Sequence, residues 1–196
     1  TAVIREAYTL GADDGYLLSD RRFAGADTLA TSYTLSEAIR RLPPADLILC
    51  GMQTTDGDTA QVGPGIAELL ELPHASYVTE IRELVGNGVV ADTDMGDGIE
   101  TVRIELPCLL TITREANHPR LPSFRLKRAT KDREISVWDS KALAGANPAY
   151  FGLEGSPTQV ERIFPPPKDR EKEMWRGSSE ELSQQLYGKL KELKFI

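Results

Sequence analysis

Asp46-Leu47-Ile48-Leu49-Cys50-Gly51-Met52-Gln53-Thr54-Thr55-Asp56-Gly57-Asp58-Thr59-Ala60-Gln61-Val62-Gly63-Pro64 runs from an apolar strand through a polar, glycine-marked loop into an amphipathic helix. Asp46–Cys50 is a short apolar run of the kind found in parallel strands covered on both faces. Gly51–Gly57 is the loop. Asp58-Thr59-Ala60-Gln61 has the capping-box pattern, and Val62, Ile66, Leu69 and Leu70 continue as a buried helical stripe. A strand passing directly into a helix in this way is half of a parallel βαβ unit.

The same rhythm extends upstream. Ala2–Ala7 reads as the middle of an amphipathic helix that closes at Leu10-Gly11, where glycine supplies the left-handed residue. Tyr16–Asp20 follows as a strand, and Arg21–Ala26 as the loop leaving it. Asp27 can cap a helix to about Leu42, with Leu29, Tyr33, Leu35, Ala38, Ile39 and Leu42 on its apolar face, before Pro43-Pro44 stops it. Downstream, Ala75–Glu83 is a further strand. Val89–Asp94, Ile99–Glu105 and Cys108–Thr113 are strands joined by Asn87-Gly88 and Gly96-Asp97-Gly98, which read as antiparallel extension. The fold expected is α/β: an open, mostly parallel, Rossmann-like sheet with helices on both faces, an antiparallel extension and a C-terminal helical arm.

Composition bounds the function. The 196 residues are 40% apolar, enough for a packed domain, and the net charge of -7 lacks the basic footprint of a nucleic-acid binder. No stretch approaches the roughly 20 apolar residues of a membrane span. Cys50 and Cys108 both lie in apolar runs without a CxxC partner, so they read as buried hydrophobes, and His74 and His118 lack ligand spacing. A reducing, cytoplasmic setting is expected, or the mitochondrial matrix in a eukaryote. Because the chain opens on Thr1 within a helical pattern, further sequence is expected upstream.

Residues 1–143 form the expected nucleotide-binding domain. Asn117–Asp132 turns basic, with Arg120, Arg125, Lys127, Arg128 and Lys131, and reads as an exposed loop entering a short helix. Residues 144–196 form the expected arm: an irregular Gly/Pro-rich stretch, an extended Pro165-Pro166-Pro167, and a helix capped by Ser178-Ser179-Glu180-Glu181 with Leu182, Leu186, Leu190 and Leu193 on one face. That face fits a partner subunit or this domain itself.

Ligands of open parallel sheets bind beyond the carboxyl ends of strands. Gly51 and Gly57 allow close backbone approach, and the free N–H groups opening the next helix form an anion site. No lysine or arginine occurs from Gly51 to Ala67, so a phosphate there would be held by backbone amides with Thr59 and Gln61. This counts against a kinase or ATPase, which needs a lysine and a metal carboxylate together. Asp56 and Asp58 would repel a phosphate and suit capping or a ribose hydroxyl. The loop Phe23–Ser32 repeats this geometry one unit earlier, bringing Ala26, Asp27, Thr28 and Thr31 to the same sheet edge. A polar loop with a good cap and no ligand remains the competing reading.

The motif Asp46–Gln53 with Asp56–Pro64 resembles the electron-transfer flavoprotein beta family. The likeness continues through Glu100–Thr111, Asn117-His118-Pro119-Arg120 and Ala129-Thr130-Lys131, and the chain departs from the family at Thr93–Gly98, where the family usually places an acidic or glycine cluster preceded by a basic residue. The resemblance implies an adenine-nucleotide alpha-hydrolase-like fold, a heterodimer with an alpha subunit and a nucleotide held by Gly51, Met52, Gln53, Thr54, Thr55, Asp56, Gly57, Asp58, Thr59, Ala60, Gln61 and Val62. That nucleotide is FAD in electron-bifurcating members and AMP in simple carriers. Asp56–Pro64 together with Ala24–Ser32 looks like the bifurcating, NADH-oxidising type, which splits electrons between ferredoxin or flavodoxin and an acyl-CoA or hydroxy-acid dehydrogenase. The basic loop corresponds to the family's dehydrogenase-facing region, with Phe124 as hydrophobic anchor beside Arg120 and Arg125. A nucleotide-binding stress-type module and an adenylating enzyme are the other readings. The 144–196 tail argues against the first, and the lack of a Ser-Gly-Gly-x-Asp-Ser-type loop against the second.

Overall fold

The computed structural model describes residues 1–165 and 173–196, so Pro166 and Pro167 of the expected extended segment lie outside the described residues. Residues fall into two compact units, Thr1–Gln159 and Val160–Ile196. The first runs past residue 143 because Phe151 and Leu143 are buried together with Ala38.

The first unit carries helix α1 (Ala2–Leu10), strand β1 (Tyr16–Leu18), α2 (Thr28–Ile39), β2 (Leu47–Gly51) and α3 (Val62–Leu70). Strands β3 (His74–Val85), β4 (Gly88–Asp94), β5 (Ile99–Glu105) and β6 (Cys108–Ile112) follow, then α4 (Phe124–Ala129) and β7 (Ser136–Trp138). Gly11 ends α1 at φ 107, as its position predicts.

The main sheet has five strands in the order β2-β6-β3-β4-β5, and the class is α/β as expected. Its internal order corrects the sequence reading in one respect. The run after Pro107 does not lengthen the antiparallel end; β6 returns to lie parallel between β2 and β3, pairing Leu47 with Cys108 and Ala75 with Leu110. Side chains alternate across a strand, and β6 is buried on both sides. Cys108 and Leu110 join Val78, Val89, Ala91 and Ile104, whereas Leu109 joins Ile66 and Ala67 beneath α3. A strand whose successive residues are buried on both faces belongs in the middle of a covered sheet.

The antiparallel part is β3-β4-β5, as the Gly-rich turns imply. β1 stands outside this sheet and pairs in parallel with β7, Tyr16 opposite Ser136, in a separate two-stranded sheet. Three residues of β7 give no usable alternation, and the sequence reading missed that strand.

Helix α2 packs on α3, and α3 lies over β6 and β3. The α2 face differs from expectation: Leu29 is exposed, while Ala30, Ser32, Ser36 and Ala38 are buried. Small residues win because the helices approach closely, a Cβ at Gly65 meeting Ser32 Oγ at 2.6 Å.

In the second unit, α5 (Ser179–Glu192) opens with a complete capping box between Ser178 and Glu181 and buries no residue. Lys189 pairs with Glu173 at 3.1 Å. No described helix is long and apolar enough to cross a membrane.

Candidate functional site

At the carboxyl end of β2 the loop and the start of α3 enclose a cavity of about 390 Å3. Its walls bring together Gly51, Met52, Gln53, Thr54, Thr59, Ala60, Gln61 and Val62 with Thr31 of α2, over an apolar floor of Leu35, Cys50 and Ile66. Nine of the residues predicted from sequence therefore line one space. Thr55, Asp56, Gly57, Asp58, Ala26, Asp27 and Thr28 do not line it.

The backbone accounts for most of the site's chemistry. Buried or half-buried amides normally find acceptors. Met52 N donates to Ile112 O, Gly57 N to Asp56 Oδ1, and Asp58 N to Thr54 O. Beyond Asp58, the amides of Thr59, Ala60, Gln61, Val62 and Gly63 make no hydrogen bond among the described residues, and all five residues line the cavity. No side chain caps α3. This corrects the capping-box expectation: the helix starts at Val62, and Pro64 in its first turn has no N–H to offer. The two left-handed residues that aim this segment are Asp58 at φ 51 and Ala60 at φ 54, neither of them glycine. Such conformations cost on the order of 1–3 kcal/mol and persist where surrounding structure imposes them.

The glycines divide into two groups. A Cβ on Gly51 would meet nothing within 4 Å, so only a guest would feel it. A Cβ on Gly63 would meet Thr111 Cγ2 at 2.3 Å, so α3 can sit on β6 only with glycine there.

The acidic residues of the loop are occupied internally. Asp56 accepts from Gly57 N, and hydrogen bonds from the Thr54 hydroxyl and the Gly57 amide hold its carboxyl below the usual range. Asp58 accepts from Gln53 Nε2, which pins the loop across its width. The lining residues include no lysine, arginine or carboxylate, so any anion held here is met by amide dipoles. Burial pushes the Cys50 thiol up, leaving it an inert wall.

The second predicted loop acts from behind. Thr28 Oγ1 donates to Gln61 Oε1 at 2.9 Å, which leaves the amide nitrogen of Gln61 as its free end. Asp27 caps α2 through Leu29 N and Ala30 N, and its other oxygen accepts from Thr158 N and Oγ1. Its own amide donates to Ser156 Oγ. Asp27 is thus placed to fix α2 and, through Thr28, the first turn of α3.

Sequence reasoning missed a second cavity of about 590 Å3, which shares Met52 with the first. Tyr77 lies on it at φ 56, where the β3–β6 register shifts. Its amide donates to Thr111 Oγ1. No turn residue in the sequence marks that bulge.

On the basic loop, Phe124 is 80% exposed and shares a concavity with Arg125 and Arg128. Arg120 lies apart, its guanidinium against Gly11 at the carboxyl end of α1. There a cation complements the helix dipole.

The family described as "Electron transfer flavoprotein domain" matches residues 1–143. The "Caffeyl-CoA reductase-Etf complex subunit CarD" of Acetobacterium woodii is 42% identical over 99% of this chain and 74% of its own. The "Electron transfer flavoprotein subunit beta" of Megasphaera elsdenii is 44% identical over 85% of this chain and 63% of its own. The "Protein FixA" of Bradyrhizobium diazoefficiens is 39% identical over 93% and 66%, so the chain spans about two thirds to three quarters of these relatives' length.

Proposed function

Because this chain belongs to the electron transfer flavoprotein family, as a beta subunit, we propose that it holds an FAD on the amides of Thr59–Gly63 and works in a heterodimer that oxidises NADH. Electrons would divide between ferredoxin or flavodoxin and, through the flavin of the alpha subunit, an acyl-CoA or hydroxy-acid dehydrogenase. Five consecutive residues with unpartnered amides line one cavity, and they carry the reading. They fit the diphosphate of a dinucleotide, which needs several donors and tolerates no nearby carboxylate.

Bound there, a flavin supplies two-electron acceptance from a nicotinamide and one-electron donation onward, chemistry that side chains lack. The chain's own residues would bind, orient and exclude water. The amides of Val62 and Gly63, backed by the α3 dipole, would meet the phosphates. Leu35, Cys50 and Ile66 would cover apolar ring surface. Thr28 would hold Gln61 so that its amide nitrogen faces the guest. Phe124 and Arg125 would meet the dehydrogenase, an apolar anchor in a charged rim being the usual make-up of an interface hot spot. The CoA-ester reductase complex in the printed name of the Acetobacterium relative supports a dehydrogenase of that class.

Releasing and counting the nucleotides of the purified heterodimer tests this. Two FAD per dimer are expected. One FAD with one AMP would overturn the NADH-oxidising reading in favour of a simple carrier.

A further inference from the structure

Residues 147–158 contain one short 3-10 turn, Pro148–Tyr150, and otherwise no regular structure, yet the segment is fastened at both ends and in the middle. Asn147 N donates to Tyr33 Oη at 2.7 Å, and the Asn147 side chain caps the turn by accepting from Ala149 N. Phe151 is buried edge-on against Phe23, ring centroids 5.2 Å apart. At Gly152, φ 54, a Cβ would meet Arg22 O at 2.1 Å, so the two backbones touch and only glycine fits. Leu153 N then donates to Ala24 O at 3.1 Å. The segment is a strap laid directly on the loop that enters α2.

Its far end closes on Asp27. Ser156, 7% exposed, accepts from Asp27 N at 2.8 Å and donates from the same Oγ to Gly152 O at 2.7 Å. Thr158 gives both its amide and its hydroxyl to Asp27 Oδ2, the oxygen that the α2 cap leaves free. Bonds to an ionised acceptor are the stronger kind. Asp27 is therefore gripped by strap and helix together. Thr28, the next residue, is held where its hydroxyl reaches Gln61 Oε1, and that is the one hydrogen bond the Gln61 side chain makes among the described residues. Gln61 lines the α3 cavity, whereas Ser156 and Thr158 do not.

We propose that Ser156 and Thr158 are positioning residues for the nucleotide: through Asp27 and Thr28 they hold the Gln61 side chain in its binding orientation before the guest arrives. A long polar side chain that is already ordered loses less freedom on binding, so affinity rises without a new contact. This rests on the reading that the α3 cavity holds a nucleotide, and deepens it by naming a determinant of affinity outside the cavity. Linkage makes the effect reciprocal, so a nucleotide on α3 also steadies the strap. Val160, two residues beyond Thr158, begins the second unit, so the bonds that orient Gln61 are made at the root of the arm.

The test uses the full-length heterodimer with its beta-site nucleotide removed, titrated calorimetrically with FAD and, separately, with AMP. Thr158→Val keeps the shape and removes the hydroxyl, and Ser156→Ala removes the acceptor of Asp27 N. Each is expected to weaken whichever nucleotide the wild type binds by about 3- to 10-fold, and Thr158→Ser should restore wild-type affinity. In a Thr28→Val background, where Gln61 has already lost its bond, Thr158→Val should cost no further affinity. Hydrogen exchange of the strap, residues 151–158, should slow on nucleotide binding in the wild type and not in Thr28→Val. Unchanged affinity in both single variants, losses that add in the double variant, failure of the serine to rescue, or a strap indifferent to nucleotide would overturn the assignment. If the unaltered heterodimer binds neither FAD nor AMP, the nucleotide reading itself fails and takes this one with it. Wild-type binding with unaffected variants refutes the positioning role alone.

Discussion

Asp27 joins three parts of the molecule through one carboxylate, and its replacement separates their contributions. Oδ1 accepts from Leu29 N and Ala30 N at 3.0 Å each, capping α2, and Oδ2 accepts from Thr158 N at 3.0 Å and Thr158 Oγ1 at 2.8 Å. Losing an N-cap costs about 0.5–2 kcal/mol. Two further hydrogen bonds are worth about 0.5–1.5 kcal/mol each, taken at the low end because both are exposed. Asp27→Ala should therefore cost about 1.5–3 kcal/mol, a fall in Tm of roughly 3–12 °C at 2–4 °C per kcal/mol for a chain of this size. Asp27→Asn keeps an equally good cap but turns an amide toward the Thr158 donors, and should cost about 1 kcal/mol. Thr28 opens α2 and bonds Gln61, so the alanine variant should also bind nucleotide more weakly than the asparagine variant. Thermal denaturation followed by circular dichroism, with FAD titration of each variant in the heterodimer, reads both effects. An alanine variant within 1 °C of wild type by the same reckoning, or an asparagine variant as unstable as the alanine, would refute the division between cap and strap.

Gly65→Ala should destabilise by about 1–3 kcal/mol through overpacking against Ser32 Oγ, and Ser32→Ala in the same chain should recover part of it; additive losses in urea denaturation would contradict the close approach of α2 and α3. Hydrogen bonds from Arg22 N, Ser140 Oγ and Ser140 N bring the Asp20 carboxyl down to about 2. With the folded pKa below the unfolded value of about 3.9, its stabilisation is complete above pH 5 or so and is lost as pH falls toward 2. The stability difference between wild type and Asp20→Asn should follow that course, and a difference unchanged from pH 6 to pH 2 would be inconsistent with it. Phe124→Ala should raise the KM for the dehydrogenase by about 5-fold or more with the fold intact, and an unchanged KM would remove Phe124 from the interface.

The βα unit around Cys50 is legible because its signals are local: an apolar run, two loop glycines and a helical stripe follow one another within Asp46–Leu70. Strand order is not local. Asp46–Cys50 and Cys108–Ile112 are similar apolar runs, and nothing within either says that β6 takes the central place. The signal that could have found it is apolar character at Cys108, Leu109 and Leu110 together, where a strand with one wet face would alternate. The absence of lysine and arginine from Gly51 to Ala67 pointed to backbone recognition. It did not reveal which amides remain free, since that depends on Ile112 and Asp56 accepting from Met52 and Gly57. Asp58, Ala60 and Tyr77 hold left-handed conformations without being glycine, so no composition rule marks them. Ala60 and Tyr77 line the two cavities, Asp58 lies in the loop beside the first, and tertiary context imposes all three conformations.

Hydrogen exchange of the heterodimer, resolved to the peptide spanning residues 59–63, reads the proposed grip itself. These amides have no acceptor among the described residues, so they should exchange fast without nucleotide and slow on adding FAD by at least an order of magnitude. Exchange in that peptide that stays fast under saturating FAD, while protection appears elsewhere on the subunit, would contradict recognition by the amides that open α3.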